Sequence, residues 1–416
     1  MLSTRCANHL RLAAVLVCMM VLLLFPSPLF HASACGADRY GDTQGAHLEV
    51  VLVTAQYTPH SRIVIESNED LARLGFPGDG SLNSPYIIED LNITDAGTCI
   101  SMTDVTAHVI IRDCLFVSSS VWTLDLDSVS NCSIRRCRIQ GRQVGIHCSN
   151  VTEVQIRDNT IFDLTGIDVG GNTYDGVGVY MTDSHSSIIS DNTIYANNVG
   201  LTFHNTNNCL CSGNTIYGNN GIGAEILADS IDNRFVANVF GWNEHSQYSG
   251  DNAHDQGVNN TWSENYWSDY SPPGAYYVPG SAISRDLNPR LLVDNSFPIL
   301  TSSEEVIMAE GARVQIVWTT SDLFPLTYEI LVNGETQTIR TWGQSNITFD
   351  LSHLPVGTHD VTLMVTDAAR NVAAHYVEVN VLFVFLSDMG TELVVVASGV
   401  SVVSVVAVLL LIKRKL

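Results

Sequence analysis

Asp125 and Asp127 are two residues apart in a segment that alternates apolar and polar side chains, which predicts a β-strand. Residues i and i+2 of a strand face the same side, about 7 Å apart. Two carboxyl groups at this separation suit an inverting glycosidase, where one protonates the leaving oxygen and the other activates water. Epimerase or lyase chemistry would instead need a base with a cation or an Arg. The pair therefore predicts a candidate catalytic site.

The two aspartates belong to a repeat of about 22 residues. Its clearest markers are quartets that end in Cys, then Asn, at Ile111–Cys114, Ile134–Cys137, Ile156–Asn159, Ile189–Asn192, Cys211–Asn214 and Phe235–Asn238. A unit this short cannot bury its own apolar face, so it must stack on its neighbours. Short strands rich in Ile and Val at this period predict a right-handed parallel β-helix, with equivalent residues about 4.8 Å apart. We expect the Asn residues to form a ladder at a turn and to take up the left-handed backbone there.

The repeat predicts which outward side chains share a column. Asp125 is aligned with His147, Tyr180 and Thr202, and Asp127 with Ser149, Thr182 and His204. An 11-residue insertion, at roughly Leu164–Asp175, enters this sheet and brings Asp168 and Asp175. We expect either a polysaccharide-binding wall or a catalytic one that uses Asp125, Asp127 and His147. The alternative is an ordinary solvated surface.

Three arginines predict a second ligand-binding surface. Arg112, Arg135 and Arg157 fall in one column, where like charges repel one another unless anions intervene. A stripe of this kind could bind uronate or sulfate groups through bidentate contacts. The structural alternative is neutralisation by acids on the same turns, which are Asp113, Glu153 and Asp158.

The repeat resembles the NosD-like β-helix family, also called carbohydrate-binding and sugar-hydrolase repeats. The resemblance covers about residues 60–290 and rests on Asn159-Thr160-Ile161, Asn192-Thr193-Ile194 and Asn214-Thr215-Ile216. The segment Trp262–Tyr270 resembles the aromatic segment that closes such domains, so we expect it to cap the helix or to stack on sugar rings. The family name implies copper-centre maturation. The sequence has no cluster of soft ligands, however, so we expect no metal and no cofactor.

Residues 301–384 differ from the repeat region. They contain short segments in which apolar and polar side chains alternate, which predicts a small β-sandwich. The run Leu354–Val361, followed by Val365-Thr366-Asp367, resembles PKD-like, immunoglobulin-type modules of cell-surface proteins. Such modules are usually spacers or adhesive units. The resemblance therefore implies a stalk.

The two ends of the chain predict an exported, anchored protein. Residues 1–34 resemble a signal peptide with an Ala-Ser-Ala cleavage site, followed by an N-terminal segment at 35–59. Residues 393–412 form an uncharged stretch long enough to span a bilayer. The basic tail at 413–416 predicts that the C-terminus is cytoplasmic. These features favour a single-pass protein of the cell surface with an extracellular N-terminal ectodomain.

Charge narrows the class of partner. The chain has 43 acidic against 20 basic residues, a net charge of −23, which disfavours binding to nucleic acid. We therefore expect an all-β, membrane-anchored surface protein that binds extracellular or cell-envelope polysaccharide. The alternatives are a glycosidase or lyase that uses Asp125 and Asp127, and a structural or adhesive envelope protein. A role with copper is disfavoured.

Overall fold

The computed structural model describes residues 57–383 except 165, 170–171, 175, 244–251 and 344–345, and it does not describe the side chains of residues 167–175. The predicted signal peptide, most of the 35–59 segment, the predicted anchor and the basic tail lie outside the described residues. In the described part of the chain, no helix has the length and apolar character that crossing a membrane requires. The described helix is Asn68–Leu74.

Three sheets with parallel strands form the faces of a β-helix. The first, of ten described strands, contains Thr58–Pro59, Leu91–Asp95, Leu115–Ser118, Arg138–Gln140, Thr160–Phe162, Thr193–Tyr195, Thr215–Tyr217, Val239–Gly241, Tyr266–Trp267 and Arg290–Leu291. The second, of eight, contains Ile63–Ile65, Ile100–Thr103, Trp122–Asp127, Val144–Ser149, Val177–Thr182, Val199–His204, Ala224–Ile226 and Ala253–Asp255. The third, of ten, contains Tyr86–Glu89, Val109–Arg112, Cys132–Arg135, Gln155–Arg157, Ile188–Ser190, Leu210–Ser212, Arg234–Val236, Thr261–Ser263, Arg285–Asp286 and the antiparallel edge strand Tyr276–Tyr277.

The strands pair in the register that the repeat predicts. Leu124, Ile146, Val179 and Leu201 are aligned from coil to coil, and all four are fully buried. Each coil therefore adds one layer of apolar side chains to a continuous interior. The prediction of a parallel β-helix is confirmed.

A ladder of buried asparagines connects the coils between the third and first sheets. In each step Nδ2 donates to the Oδ1 of the next residue at 2.9–3.0 Å, through Asn159, Asn192, Asn214, Asn238 and Asn265. The expectation that these asparagines adopt the left-handed backbone was wrong. The residue before each one does so, as at Asp191 with φ 56°. The asparagine itself points into the turn, where its side-chain amide forms the hydrogen bonds of the ladder.

A second ladder, which was not predicted, lies between the first and second sheets. It runs through Asn197, Asn219, Asn243 and Asn252, with Nδ2–Oδ1 distances of 3.1, 2.8 and 3.0 Å. All four residues are buried. Both corners of the first sheet are thus held by side-chain amides that satisfy one another and the nearby backbone.

The aromatic segment belongs to the interior of the last coils. Trp262 stacks on Phe235 at 4.1 Å and Trp267 on Phe240 at 4.7 Å. The two tryptophans are 3% and 0% exposed, and one more coil follows them. Their burial excludes these indole rings from stacking on sugars, so that alternative was wrong for both tryptophans.

The C-terminal part of the described chain forms two further sheets around one core. One contains Ile299–Thr301, Gln315–Ser321 and Ile347–Asp350; the other contains Glu305–Ala309, Pro325–Val332, Glu335–Thr341, Gly357–Asp367 and Val372–Leu382. Inward residues from both sheets, such as Trp318, Val361 and Leu363, are fully buried together. Buried and exposed side chains alternate along strands such as Gln315–Ser321 and Gly357–Asp367. One face of each sheet therefore packs against the other sheet. The likeness to PKD-like modules stays a prediction.

This two-sheet module packs directly on the outer face of the first sheet. The rings of Phe162, Tyr195 and Tyr217 stack in a row there, with centroids 5.3 and 5.1 Å apart. Tyr195 donates its hydroxyl to the carbonyl of Trp342 at 3.3 Å, and Tyr217 donates to that of Pro325 at 3.1 Å. The module is therefore joined to the side of the β-helix by a buried aromatic contact as well as by the chain.

Candidate functional site

Trp122, His147 and Tyr180 form an aromatic row on the outer face of the second sheet. The ring centroids of Trp122 and His147 are 4.1 Å apart with 11° between the planes, and those of His147 and Tyr180 are 5.7 Å apart. The three residues lie on adjacent strands, so the coil spacing brings their rings together. All three are half-buried. Partly exposed aromatic rings of this kind can pack on the apolar face of a sugar.

Asp125 holds the central ring of this row. Its Oδ1 lies 2.7 Å from Nδ1 of His147, and the two side chains are 25% and 13% exposed. A carboxylate on one imidazole nitrogen orients the ring and sets what the other nitrogen can do. We call Trp122, Asp125, His147 and Tyr180 the aromatic wall.

Asp127 and His204 lie in the neighbouring outward column. Asp127 accepts a hydrogen bond from the Ser128 hydroxyl at 3.2 Å, whereas His204 lies three strands away. Nε2 of His204 is 3.2 Å from Oδ2 of Asp229, and that pair is about half exposed. The structure thus brings Asp125, His147 and Tyr180 together and leaves His204 in a separate pair.

The insertion before Tyr180 folds as a β-hairpin, which the sequence did not predict. Its strands are Ile167–Val169 and Asn172–Tyr174, with Asp168 opposite Thr173. The side chain of Asp168 and all of Asp175 lie outside the described part of the chain. Their role at the site stays a prediction.

The arginine column lies on the outer face of the third sheet. Arg112 is aligned with Arg135, and Arg135 with Arg157. Glu89, opposite Arg112 in the preceding coil, accepts a hydrogen bond from its Nε at 2.7 Å. Arg112 is therefore paired with Glu89, which the sequence did not suggest, and its Nε also lies 3.8 Å from Oδ2 of Asp113, one of the three acids that it did suggest.

The closest contacts of Asp113 are with the neighbouring arginine, Arg136. Asp113 accepts two hydrogen bonds from Arg136, at 2.7 and 2.6 Å, and this contact lowers the pKa of Asp113. Within the described residues, Arg135 and Arg157 form no ion pair and no hydrogen bond through their side chains. The column thus contains one paired and two unpaired guanidinium groups.

Three carboxylates converge where the chain enters the two-sheet module. Oxygens of Asp294, Asp322 and Asp367 all lie within 4.8 Å of one another, and in the described ranges this is the one group of three possible ligands so close. Burial, and the charge of the neighbouring acids, raises the pKa of Asp322 and of Asp367. Oxygen donors of this kind suit hard cations such as Ca²⁺ rather than copper.

Sequence reasoning missed Trp122, which completes the aromatic wall. Trp122 is in register with Val144. Each lies two residues before an inward residue, Leu124 or Ile146, so simple alternation along the strand would place both on the inward side. The signal that could have identified it is its size. A tryptophan in a column otherwise filled by valines must extend beyond that column, here over His147.

A known family matches the β-helix part of the chain. The family described as "Periplasmic copper-binding protein (NosD)" matches residues 64–272, which is half of the chain. No curated protein matches.

Two solved structures are similar in part. The fibronectin(III)-like modules of Clostridium thermocellum CbhA are 15% identical, cover 21% of this chain and 98% of their own, and have a TM-score of 0.18. The tailspike gp49 of Acinetobacter baumannii bacteriophage Fri1, a capsular polysaccharide depolymerase, is 8% identical, covers 70% of this chain and 60% of its own, and has a TM-score of 0.24. Both scores are too low to support an inference about this chain. The match over residues 64–272 shows the family: the chain belongs to the NosD family of β-helix proteins.

Proposed function

We propose that this chain binds polysaccharide outside the cytoplasm and that the aromatic wall is its binding surface. The observation that carries the proposal is the row of half-buried rings of Trp122, His147 and Tyr180, whose central ring, His147, lies 2.7 Å from the Asp125 carboxylate. Aromatic faces can pack on sugar rings, and the carboxylate edge can accept hydrogen bonds from sugar hydroxyls. The family description, which is periplasmic, supports an exported location. Anchoring by residues 393–412 remains part of the proposal.

A polysaccharide array tests this function with the purified full chain. We expect binding to one or more glycans, and a loss of about tenfold or more in the Trp122→Ala and Tyr180→Ala variants. Tyr277→Ala is the matched control, because Tyr277 is 61% exposed at the far end of the β-helix. Binding that survives both wall substitutions, or no binding to any glycan, would overturn the proposal. The second result would favour a structural or adhesive envelope protein.

Polysaccharide cleavage is the second candidate function, and the Asp125–His147 pair favours it. A histidine oriented by a carboxylate is a common general acid or base, and Asp127 lies two residues further along the same strand. Under this proposal Asp127→Asn abolishes the release of shortened or unsaturated products and leaves glycan binding within a few fold. Unchanged product formation in Asp127→Asn would exclude this residue as a catalytic acid or base.

Copper, which the family description names, does not fit the donors that are described. Copper sites in proteins use imidazole, thiolate or thioether ligands. In the described ranges the one close group of three donors is carboxylate only, and His147 is held by Asp125. Burial raises the pKa of the Cys99 and Cys132 thiols to about 12, which keeps them protonated at neutral pH. The described side chains therefore do not make up a copper site.

A further inference from the structure

A groove on the outer face of the third sheet contains the two unpaired arginines. Its volume is about 550 Å³, and its lining includes Ser133, Arg135, Glu153 and Arg157. This volume lies in the range of small-molecule sites, about 300–1,000 Å³. The groove lies on a different sheet from the aromatic wall, so the two surfaces do not share residues.

Three polar atoms of the groove are buried and have no hydrogen-bond partner among the described residues. They are Nε of Arg135, Nε of Arg157 and Oγ of Ser133. Ser133 and Arg135 face outward on one strand, and Arg157 is aligned with Arg135 on the next strand. Three unsatisfied groups in one groove are unusual, because buried polar atoms are nearly always hydrogen-bonded.

Electrostatics point to a negatively charged ligand. The two guanidinium groups lie on adjacent strands, about 4.8 Å apart at the backbone, where like charges destabilise each other. Burial, together with the positive charge of Arg157, lowers the pKa of Arg135. The neighbouring Arg112 and Arg136 are not in this position, because Glu89 and Asp113 neutralise them.

We infer that the groove binds an acidic sugar, with a carboxylate or sulfate group held between Arg135 and Arg157 and a further hydrogen bond from Ser133. One oxyanion can accept from both guanidinium groups, and such charge-assisted bonds are about twice as strong as neutral ones. The inference rests on the proposed function for the sugar part of the ligand, and it adds the charge class. Arg112, which the sequence grouped with these residues, lies outside this site because Glu89 holds it.

The surrounding charge makes such a site selective. The chain as a whole carries a net charge of −23, so it repels polyanions except where a local positive group outweighs that field. Glu153 is an exposed acid in the lining of the groove. A Glu153→Gln substitution should therefore strengthen binding of an acidic sugar.

Polygalacturonate fragments provide the test, with the methyl-esterified fragments as the neutral counterpart and dextran sulfate against dextran as the sulfate arm. We expect the full chain to bind at least one acidic member of these pairs and to discriminate against its neutral member. Arg135→Gln and Arg157→Gln should each weaken binding by about tenfold. Arg112→Gln and Arg136→Gln are matched controls and should stay within about threefold, because their charges are already paired.

Three results would overturn the inference. They are equal binding of acidic and neutral partners, equal losses in all four arginine variants, and binding of inorganic sulfate without binding of any acidic sugar. A cooperative thermal unfolding transition, recorded in sulfate and in chloride at equal ionic strength, shows whether each variant is folded. Failure of this inference is distinguishable from failure of the proposed function, because neutral glycans would then still bind and Trp122→Ala would still weaken that binding.

Discussion

The second and third sheets of the β-helix present the same kind of surface, with polar columns at strand spacing, but they differ in how charge is compensated. On the second sheet Asp125 faces His147 in the next coil, at 2.7 Å. On the third sheet Arg135 faces Arg157, and the Nε of each has no partner among the described residues. A coil repeat places equivalent positions about 4.8 Å apart, so a charged side chain in a column must have a hydrogen-bonding or oppositely charged neighbour or bear repulsion. The first arrangement stabilises the fold, and the second leaves a site for an anion.

Both faces depend on the asparagine ladders, and breaking one ladder gives the largest expected effect. In Asn214→Leu the backbone N–H and Nδ2 of Asn192 and the carbonyl of Ile189 lose their partner. Each buried group left unsatisfied costs about 1–3 kcal/mol, so the loss of three partners should lower the free energy of unfolding by about 3–9 kcal/mol. Denaturant unfolding of the full chain, followed by intrinsic fluorescence, measures it.

The matched control for the ladder is Asn220→Leu. Asn220 is exposed, so this substitution should change stability by less than about 0.5 kcal/mol. If both variants lose the same stability, the ladder does not support the coils in the way described. The two surfaces would then need separate explanations for their rigidity.

The repeat made the fold and the columns predictable, because one period fixes both the strand pairing and the outward neighbours. The aligned quartets therefore predicted that Asp125 faces His147 and that Arg135 faces Arg157. The same register aligns Glu89 with Arg112, so the pairing of Arg112 could also have been read from the sequence.

Other features of the site depend on packing and could not be predicted. Whether Arg157 finds an acid depends on rotamers and on where Glu153 points, which a column alignment does not contain. The hairpin of strands Ile167–Val169 and Asn172–Tyr174 has no repeat to define it. The second asparagine ladder, by contrast, recurs in the sequence at Asn197, Asn219 and Asn243 with the spacing of the first ladder, so it could have been predicted.

Neutralising one charge on each face tests the comparison directly, with effects of opposite sign. Asp125→Asn removes the charged partner of His147 and should lower stability by about 1 kcal/mol. Arg157→Gln removes repulsion from Arg135 and should raise stability by about 0.5 kcal/mol in the absence of an anion. Thermal unfolding at low ionic strength measures both, and added salt should shrink the second effect. A loss of stability in both variants would show that Arg157 has a favourable partner.

The acidic cluster is a third place where the fold brings like charges together, and it gives the smallest expected effect. Oδ2 of Asp294 is buried without a hydrogen-bond partner in the described residues, close to Asp322 and Asp367. Asp294→Asn keeps the shape of the side chain and removes one negative charge, so it should raise stability at neutral pH by about 0.5 kcal/mol or less. Chelator should be present, because a bound cation would mask the repulsion.

The pH dependence of this variant follows from the raised pKa of Asp322 and of Asp367. A carboxyl whose pKa is higher in the folded than in the unfolded state binds more protons when folded, so its contribution to stability falls as pH rises above the ordinary value of about 3.9. The advantage of Asp294→Asn should therefore be greatest at neutral pH and fade as pH falls toward about 4. An advantage that stays constant between acidic and neutral pH would show that it does not arise from charge. The Asp125–His147 pair, the Arg135–Arg157 pair and the acidic cluster would then not share one electrostatic explanation. The contrast between the second and third sheets would need another physical cause.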